Sequence, residues 1–425
     1  MNTITIELET LTPIWTGDVA QECNAIKPQG IKGSLRWWYE AIVRFLGGWA
    51  CDPTAGEAKR TPTGAGGKPC NASSKDMASK VLKWAGQHSS DPIAEKIQAT
   101  SPFLWELDNS GKPVRCVCDA CAMFGCTGWA SRFNLIVEGG SKACPPGRVR
   151  VRKPGQGDRQ AQYYYDNLGG IKSPQKVAPG GHILLKFSFP LPVPFPFMTG
   201  FKLALCLAIL RGNMGAKAQH GMGYVTGDLH AVQAPNKGEI QQLADAMSSP
   251  PNPSATNGLP NLGQFFFSEW EVNDRNCLNQ QGAFWMCDQV KWPVRQLFRP
   301  AAMPGCDKDE CERIRHEVCG FVAGPTRVAS KVNLSRVFSP GGEDRPRIRV
   351  WGWIPSLRSC TEPEHYAVCG SAGAVTPASI IKDYLSGATT SGGRHLSSKT
   401  NLLYWFQWPD SRYPGPRDWL IALIT

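Results

Sequence analysis

Apolar and polar residues alternate along four stretches in the first half of the chain, and this pattern predicts four β-strands. In residues 2–9, Ile4, Ile6 and Leu8 fall on one face, opposite threonine and glutamate side chains. The other predicted strands are residues 132–138, 182–189 and 222–230.

Two stretches between these strands have the spacing of α-helices. In residues 33–46, large apolar residues recur every three or four positions, and Ser34 is the expected N-cap. Residues 200–211 are mostly apolar and follow Thr199, a possible cap, so they predict a buried helix. The order strand, helix, strand, strand, helix, strand is that of the ferredoxin-like (RRM-like) βαββαβ unit, an α+β fold.

The predicted unit is much longer than a minimal βαββαβ domain. We expect a first domain over residues 1–232, with insertions at 47–131 and 139–181. Residues 233–262 are rich in Pro, Asn and Ser and predict a linker, and residues 263–425 predict a second, degenerate ferredoxin-like domain. Further predicted strands are 264–272, 346–354 and 418–424, and further predicted helices are 75–86, 307–319 and 377–386.

Charge and cysteine content narrow the function. The 46 Lys and Arg residues against 35 Asp and Glu residues give a net charge of +11, which favours nucleic acid as a partner, then an anionic membrane surface. A merely basic surface is the alternative. Lysines and prolines interrupt the longest apolar stretch, residues 183–210, and the N-terminus does not resemble a signal peptide, so we expect a cytoplasmic protein. Sixteen cysteines in that compartment suggest metal ligands or free thiols.

The start of the first predicted helix carries a candidate phosphate site. Gly33 and Ser34 open the helix between Lys32 and Arg36, so free N–H groups and two cations would face one place. Trp37 could stack on a base. The alternative is an ordinary capped amphipathic helix.

A glycine-rich loop, Arg211–Gly223, is a second candidate phosphate site. Glycines let backbone N–H groups approach a phosphate, and Arg211, Lys217 and His220 supply charge. The loop follows a helix and precedes a strand, which is the opposite order to a Walker loop or a dinucleotide fingerprint. The alternative is a flexible connection.

The cysteines of the first half suggest a structural zinc site. Cys118 and Cys121 form a C-x-x-C pair, and Cys51 and Cys70 in the insertion could complete four ligands. Such a zinc would stabilise a long insertion that lacks its own core. Two further cysteines could replace either partner: Cys116 and Cys126. Redox thiols and buried free cysteines are the other interpretations.

A second cysteine group is less favourable for metal binding. Its members are Cys306, Cys311, His316 and Cys319, with Cys360, His365 and Cys369 further along the chain. Cysteines that serve only packing are the preferred interpretation of this group.

The second insertion contains a basic segment, residues 142–159, with six basic residues and one acid. Arg148, Arg150 and Arg152 alternate, so in a strand they would line one face and could follow a phosphate backbone. The tyrosines at 163–165 could stack on bases. The alternative is a solvated basic loop.

Four motifs, taken together, resemble the RAMP superfamily of CRISPR RNA-guided proteins. They are LTPIWTGD (Leu11–Asp18), IKGSLRWWYEAIVR (Ile31–Arg44), CDACAMFGCTGWASRF (Cys118–Phe133) and GNMGAKAQHGMGYV (Gly212–Val225). They look like the family's opening signature, its first-helix motif, its FG motif and its glycine-rich loop. Within the family, the paired tryptophans and the FGCTGW stretch look most like subunit one of type III-B (Cmr) effector complexes.

This resemblance implies a non-catalytic, RNA-binding subunit of an antiviral CRISPR complex. The subunit would lie near the 3′ end of the guide RNA, beside other RAMP (Cmr) subunits, and help to hold guide and target RNA. The residues it implies for RNA binding are Lys32, Gly33 and Arg36, Arg132, and the loop with Arg211, Asn213, Lys217, Gln219, His220, Gly221, Met222 and Gly223. The resemblance also favours zinc at Cys51, Cys70, Cys118 and Cys121, since many related proteins bind zinc.

Two alternatives remain at the sequence level. The first is an endoribonuclease that processes the guide-RNA precursor, with His220 as general acid or base. The seven histidines form no H-x-x-H pair, which weakens this alternative. The second is a stand-alone RNA-binding module stabilised by zinc.

Overall fold

The computed structural model describes residues 2–17, 23, 25–52, 70–140, 142–144, 151–152, 160–161, 178–247, 259–274, 277–278, 285–298, 307–323, 326–340, 345–354, 377–388, 396 and 399–425. The strands are β1 (Asn2–Thr10), β2 (Trp105–Leu107), β3 (Pro113–Arg115), β4 (Asn134–Gly139), β5 (Lys142–Cys144), β6 (Val151–Arg152), β7 (Gln160–Ala161), β8 (Ala178–Gly180), β9 (His182–Phe189), β10 (Val225–Gly227), β11 (Phe265–Val272), β12 (Phe321–Ala323), β13 (Thr326–Val328), β14 (Val332–Leu334), β15 (Arg347–Trp353) and β16 (Thr400–Gln407). The α-helices are α1 (Pro28–Phe45), α2 (Lys75–Gln87), α3 (Pro92–Ala99), α4 (Asp119–Phe124), α5 (Phe195–Leu210), α6 (Lys237–Ala246), α7 (Trp292–Gln296), α8 (Lys308–Cys319), α9 (Pro377–Leu385) and α10 (Pro416–Ile424).

The first half folds around a four-stranded sheet in the order β10-β1-β9-β4. All three of its pairings are antiparallel, and β1 pairs with β9 from Asn2↔Phe189 to Glu9↔His182. Helix α1 lies between β1 and β4 in the chain, and α5 lies between β9 and β10. The four predicted strands and two predicted helices of this half therefore all form.

The second half repeats the same strand order. Its sheet is β14-β15-β11-β16, again antiparallel throughout. When each sheet's strands are numbered in chain order, the first sheet reads 4-1-3-2 from its β10 edge. The second sheet reads 4-1-3-2 from its β16 edge. Helices α7 and α8 lie between the first two of these strands, and α9 lies between the last two. The protein is thus an α+β protein with two antiparallel sheets of equal strand order.

The core is shared between the two halves. In β11, Phe265 and Phe267 pack with Trp38 of α1, while Phe266 and Trp270 belong to a second cluster under the helices of the second half. The strand is therefore covered on both faces, which explains its nearly continuous run of apolar residues. The first half packs directly on one face of the second sheet.

Arg349 of β15 joins the halves by polar contacts. Its Nε donates to Glu269 at 2.7 Å, and its Nη1 donates to the carbonyl oxygens of Ile209 and Val225 at 3.1 and 3.3 Å. The end of α5 and the start of β10, which flank the glycine-rich loop, are thereby fixed to the second sheet.

Helix α1 begins six residues before Ser34, the predicted N-cap. Pro28 is its first residue and Lys27 its N-cap, so the prediction of Ser34 as the cap is wrong. Proline is favoured at the first helical position because its missing N–H has no intrahelical partner to lose. Helix α5 similarly begins at Phe195 after Pro194, which leaves Thr199 buried inside it.

The prediction of a strand at residues 418–424 is also wrong, because these residues belong to helix α10. Seven mostly apolar residues do not distinguish a strand from a buried helix. Gly415 as the N-cap and Pro416 as the first residue select the helix.

The predicted linker, residues 233–262, contains helix α6. Asn236 and Glu239 form a capping box at its start, and Ile240 and Leu243 are buried. Within the described part of the chain, no helix is both long enough and apolar enough to cross a membrane.

Candidate metal centre and candidate nucleic-acid interface

Four cysteines from distant parts of the chain meet in the first half. Cys51, Cys70, Cys118 and Cys121 are all buried, and their Sγ atoms all lie within 4.8 Å of one another. The Sγ atoms of Cys51 and Cys121 are 3.5 Å apart. The Cys118 N–H points at the Cys70 sulfur, at 3.3 Å.

These distances fit a tetrahedral metal–thiolate site. Zinc–sulfur bonds of about 2.3 Å place the corners of a tetrahedron about 3.8 Å apart. The sulfurs lie within 4.8 Å of one another, with Cys51 and Cys121 3.5 Å apart, so only small side-chain adjustments are needed to reach that figure. The buried cysteine cluster, defined as Cys51, Cys70, Cys118 and Cys121, can therefore hold a metal such as zinc.

Short local elements position the cluster. Cys118 caps α4, so Cys118 and Cys121 lie on its first turn, and Cys51 and Cys70 border residues 53–69. The contact with Cys118 raises the pKa of Cys121. The contacts with Cys126, Cys51 and Cys70 lower it, and the resulting pKa is about 4. A lowered thiol pKa favours the thiolate, the form that binds metals.

The two alternative ligands lie outside this group of four sulfurs. The thiol of Cys116 is directed at the carbonyl oxygen of Phe103, 3.9 Å away, and burial raises its pKa to about 11. Cys126 is half-buried next to the turn after α4. The geometry thus selects one set of four from the six cysteines considered.

The described residues contain no second group of three or more candidate metal ligands. Cys311 and Cys319 lie on α8, eight positions apart. Cys306, Cys360, His365 and Cys369 lie outside the described residues.

A buried row of charged residues on α1 faces the cysteine cluster. Arg36 donates from Nε to Glu40 at 2.8 Å, and Arg44 donates from Nη2 to the other oxygen of Glu40 at 3.4 Å. The Nη2 of Arg36 also lies 3.1 Å from the sulfur of Cys121. The sequence places these three residues on one polar side of the helix, but it gives no sign that this side is buried.

The predicted phosphate site at Lys32–Arg36 does not have free helix-start N–H groups. Since α1 begins at Pro28, Lys32, Gly33 and Ser34 lie in its second turn, and their N–H groups are within the helix. The Nζ of Lys32 lies 4.8 Å from the ring centroid of Phe133, and Gly33 is exposed. The groups of this site that could still bind a phosphate are the ammonium group of Lys32 and the exposed backbone at Gly33.

Trp37, the candidate for base stacking, is partly buried and packs against the core. Its ring lies 4.9 Å from that of Trp38 and 5.8 Å from that of Trp351. Trp38 is fully buried. Both indoles belong to the core that joins the two halves.

The glycine-rich loop is closely packed. The N–H of Gly223 donates to Pro13 O, and the N–H of Ala216 donates to Trp15 O, both at 2.8 Å. Gly223 has φ +85°, and an added Cβ would lie 2.0 Å from the carbonyl oxygen of Met214. Asn213 and Met222 are buried. The loop is therefore a fixed structure in which glycine is required, unlike a flexible connection.

Two predicted motifs meet at this loop. The hydroxyl of Ser34 and the indole N–H of Trp38 both donate to the carbonyl oxygen of Asn213, at 3.2 and 3.1 Å. Helix α1 and the glycine-rich loop, which are far apart in sequence, are thus packed against each other.

Residues of the second half add charge beside the loop, and the sequence patterns did not place them there. Lys291 donates from Nζ to Gln219 O. An added Cβ on Gly221 would lie 2.8 Å from Arg336, so that residue is in contact with the loop. Lys217 holds its Nζ 3.5 Å from the ring centroid of Trp15. We call Lys217, Lys291 and Arg336 the basic cluster.

His220 lies within this basic cluster. Burial, together with Lys291, Lys217 and Arg336, lowers the pKa of His220 well below its ordinary value. Burial likewise lowers the pKa of Lys217 to about 8. An imidazole that disfavours its protonated form at neutral pH is a poor general acid for RNA cleavage.

The remaining predicted RNA contacts have protein partners or lie outside the description. Arg132 donates to Ala122 O at 3.1 Å, and Arg211 donates to Leu423 O at 2.8 Å while lying 4.5 Å over the ring of Tyr404. Arg148 and Arg150 lie outside the described residues, and Arg152 is described by its backbone, in β6.

The exposed face of the first sheet is not basic. In the alternating burial pattern, Glu7, Glu9 and Glu138 face outward, and Lys186 pairs with Glu138 at 2.8 Å. Its described strands present no Phe, Tyr or Trp on this face to stack on a base, although His182 is exposed there beside Glu7. The basic, glycine-containing region is on the other elements, at α1 and the loop.

The structure is thus that of an α+β protein. Its first sheet has the order 4-1-3-2, and a closely packed glycine-rich loop follows the second helix of that half. The sequence matches the family model of the RAMP superfamily over residues 7–226. The chain belongs to the RAMP superfamily.

Solved structures show only distant similarity. A crystal structure of apo Cmr1 from Pyrococcus furiosus aligns with 13% identity and a TM-score of 0.38, covering 99% of this chain and 96% of the other. A cryo-EM structure of a type III-B Cmr-beta complex bound to cognate target RNA aligns with 10% identity and a TM-score of 0.35, covering 83% and 94%. No curated protein matches the sequence.

Proposed function

We propose that the protein is a non-catalytic RNA-binding subunit of a type III-B (Cmr) CRISPR effector complex in the cytoplasm. It would lie at the end of the complex near the 3′ end of the guide RNA, beside other Cmr subunits, and hold guide and target RNA. Membership of the RAMP superfamily over residues 7–226 and the Cmr-like motifs of the sequence support this proposal. In the same proposal, each 4-1-3-2 sheet with its two helical crossovers is a ferredoxin-like unit.

The observation that carries RNA binding is the meeting of α1 with the glycine-rich loop at Asn213 O. Lys32 lies on the same helix, two residues before Ser34, and the basic cluster lies beside the loop, with Arg336 buried against Gly221. Phosphates bind where cations and backbone N–H groups come together, and such contacts are sequence-independent. A subunit that holds any guide sequence requires contacts of this kind.

The structure changes which predicted residues we propose as RNA contacts. Lys32, Gly33, Lys217, Gln219 and His220 keep that role, because Gly33 is exposed and the other four are only partly buried. The other loop residues shape the loop: Arg211, Asn213, Gly221, Met222 and Gly223. Ser34, Arg36 and Trp37 hold α1 to its neighbours, and Arg132 braces the turn before β4.

We also propose that the buried cysteine cluster binds one structural zinc. When bound, zinc supplies a cross-link between α4 and the two ends of residues 53–69. The residues that would hold it are Cys51, Cys70, Cys118 and Cys121. This cross-link would stabilise the insertion between α1 and β4.

The experiment that tests the proposed function is purification of the tagged protein from its native host under mild conditions. Co-purifying RNA is sequenced, and co-purifying proteins are identified by mass spectrometry. We expect small RNAs that share a repeat-derived 5′ tag, together with other RAMP subunits. A protein that purifies alone and without RNA would contradict the proposal and favour a stand-alone module.

A further inference from the structure

Arg36, whose side chain is 20% exposed, makes three directed hydrogen bonds within the first half. Its Nε donates to Glu40 at 2.8 Å, its Nη1 to the carbonyl oxygen of Gly125 at 3.0 Å, and its Nη2 to the sulfur of Cys121 at 3.1 Å. A planar guanidinium with several partners has little freedom to rotate. The side chain is therefore oriented with one N–H group directed at a member of the cysteine cluster.

The turn that follows α4 depends on the same guanidinium. Gly125 has φ +94°, and an added Cβ would lie 2.9 Å from the backbone nitrogen of Ser131. Its carbonyl oxygen is thus held in a backbone shape that other residues rarely adopt. Arg36 connects this turn to Cys121, four residues before Gly125.

Arg44 supports the opposite side of the cluster. It donates from Nη2 to Cys51 O at 3.1 Å and from Nε to Ala50 O at 3.2 Å. Glu40 accepts from both arginines, so one buried carboxylate fixes two arginines that contact the segments of two different cysteines. Glu40 and Arg44 are 5% and 6% exposed.

The charges of this region are complementary to a metal–thiolate centre. Four thiolates around a divalent cation carry a net charge of −2, whereas Arg36, ionised Glu40 and Arg44 together carry +1. Buried charge is costly unless an opposite charge lies nearby. N–H donors to a bound thiolate also reduce its charge and fix its direction.

We propose that Arg36 is a positioning residue of the metal centre, which orients Cys121 and compensates thiolate charge, and that it does not contact RNA phosphate. This inference rests on the zinc binding proposed above. It assigns to the metal centre a partly buried residue that the sequence motif had suggested for RNA. Glu40 acts in the same role, through its hold on Arg36.

The test compares purified full-length wild type with Arg36→Gln, Arg36→Lys and Lys32→Gln. Lys32 is the matched control, because it is a cation one turn earlier on α1 whose Nζ lies near Phe133 and Phe133 O. Zinc content is measured, and zinc transfer to a chromogenic chelator is followed with time. In cobalt-substituted samples the energy of the thiolate-to-cobalt charge-transfer band is recorded.

We expect Arg36→Gln to lower metal affinity by about tenfold or more, as is typical when an outer partner of a metal ligand is lost. The charge-transfer band should shift, because one thiolate has lost its N–H donor. Arg36→Lys should have a metal affinity and a band energy between those of wild type and Arg36→Gln, since an ammonium cannot reproduce three directed hydrogen bonds. Lys32→Gln should match wild type in affinity, transfer rate and spectrum.

Glu40→Gln covers the possibility that Arg36→Gln fails to fold. It leaves Arg36 in place but weakens its orientation. We therefore expect a smaller loss of metal affinity and a smaller band shift than in Arg36→Gln. Arg36→Gln with wild-type metal affinity and an unshifted band would overturn the inference. So would Arg36→Gln that loses RNA affinity while keeping wild-type zinc transfer. Wild type without metal would overturn the zinc proposal, and this inference with it, but would leave the RNA-binding proposal intact.

Discussion

The indole N–H of Trp38 donates to the carbonyl oxygen of Asn213 across 175 residues of sequence, at 3.1 Å, and both residues are buried. This bond ties the middle of α1 to the start of the glycine-rich loop. Next to it, Gly212 lies so close to Trp38 that an added Cβ would be 2.1 Å from the indole Cζ2. The position of the loop on the helix thus depends on the absence of a side chain at Gly212.

Gly212→Ala should therefore destabilise the protein. The methyl group cannot fit unless the buried Trp38 moves, and such overpacking typically costs about 1–3 kcal/mol. The measurement is the midpoint of unfolding in urea.

Gly33→Ala is the matched control for that measurement. Gly33 is inside α1 with nothing within 4 Å of an added Cβ, so alanine should stabilise the helix by roughly 0.5–1 kcal/mol. A Gly212→Ala midpoint equal to that of wild type would contradict the packing described here. Reduced RNA affinity of Gly33→Ala would support a close approach of RNA to this glycine.

Removal of the metal should loosen the first insertion. Cys118→Ser and Cys70→Ser should each abolish most zinc binding and speed proteolysis between residues 47 and 131, because the cross-link between distant segments is lost. Zinc content and a limited-proteolysis time course check this result. Cys126→Ser is the control from the same segment and Cys206→Ser the control from α5, and both should keep the metal. Loss of zinc in Cys126→Ser would show that the ligand set differs from the one proposed.

The sequence predicted the first half well because its elements carry complete local signals. Strand β9 was predicted with the bounds it has, residues 182–189, since its alternation is uninterrupted. Helix α1 was predicted at the correct place, but its predicted start was too far along the chain. Ser34 resembles an N-cap and was preferred as the start over Pro28. Spacing and the family resemblance favoured Cys51, Cys70, Cys118 and Cys121 but left Cys116 and Cys126 as possible replacements, and the structure brings the favoured four together.

What the sequence could not predict depends on contacts between distant segments. Helix periodicity shows which residues share a side but not what covers that side, so it could not predict the contact of Arg36 with Cys121 or of Trp37 with Trp351. Lys291 and Arg336 carry no local motif, and their place beside the glycine-rich loop follows only from packing of the second half on the first. Strand β16, an edge strand of the second sheet, has three exposed residues in a row and so no clear alternation.

His220 should make stability depend on pH. In the unfolded chain it takes up a proton as the pH falls through its ordinary value of 6.5, but in the folded protein burial and the basic cluster lower its pKa well below that value. The unfolded state then binds more protons, so stability falls as the pH decreases below about 6.5. In His220→Gln this contribution is absent, and the slope should be shallower by up to one proton, or about 1.4 kcal/mol per pH unit. Urea midpoints of both proteins from about pH 8 to about pH 5 check the difference. Parallel profiles would contradict the lowered pKa.

The same variant tests the enzyme alternative. If His220 served as general acid or base, His220→Ala would abolish processing of a guide-RNA precursor by the protein or its complex. We expect any cleavage product of the assembled complex to form at an unchanged rate. A lost product would revive the endoribonuclease interpretation.

Lys217 should contribute to RNA binding through phosphate rather than base contacts. Its ammonium group lies beside the glycine-rich loop, and burial lowers its pKa to about 8, so it is still largely protonated at neutral pH. Lys217→Gln should weaken binding of single-stranded RNAs of different sequence by similar factors, and should reduce the slope of log affinity against log salt by about 0.7 for one phosphate contact. The control is Lys186→Gln, which removes the same charge from the acidic face of the first sheet, where Lys186 pairs with Glu138. Equal slopes for Lys217→Gln and wild type, or an equal loss in Lys186→Gln, would show that the loop region is not where RNA binds.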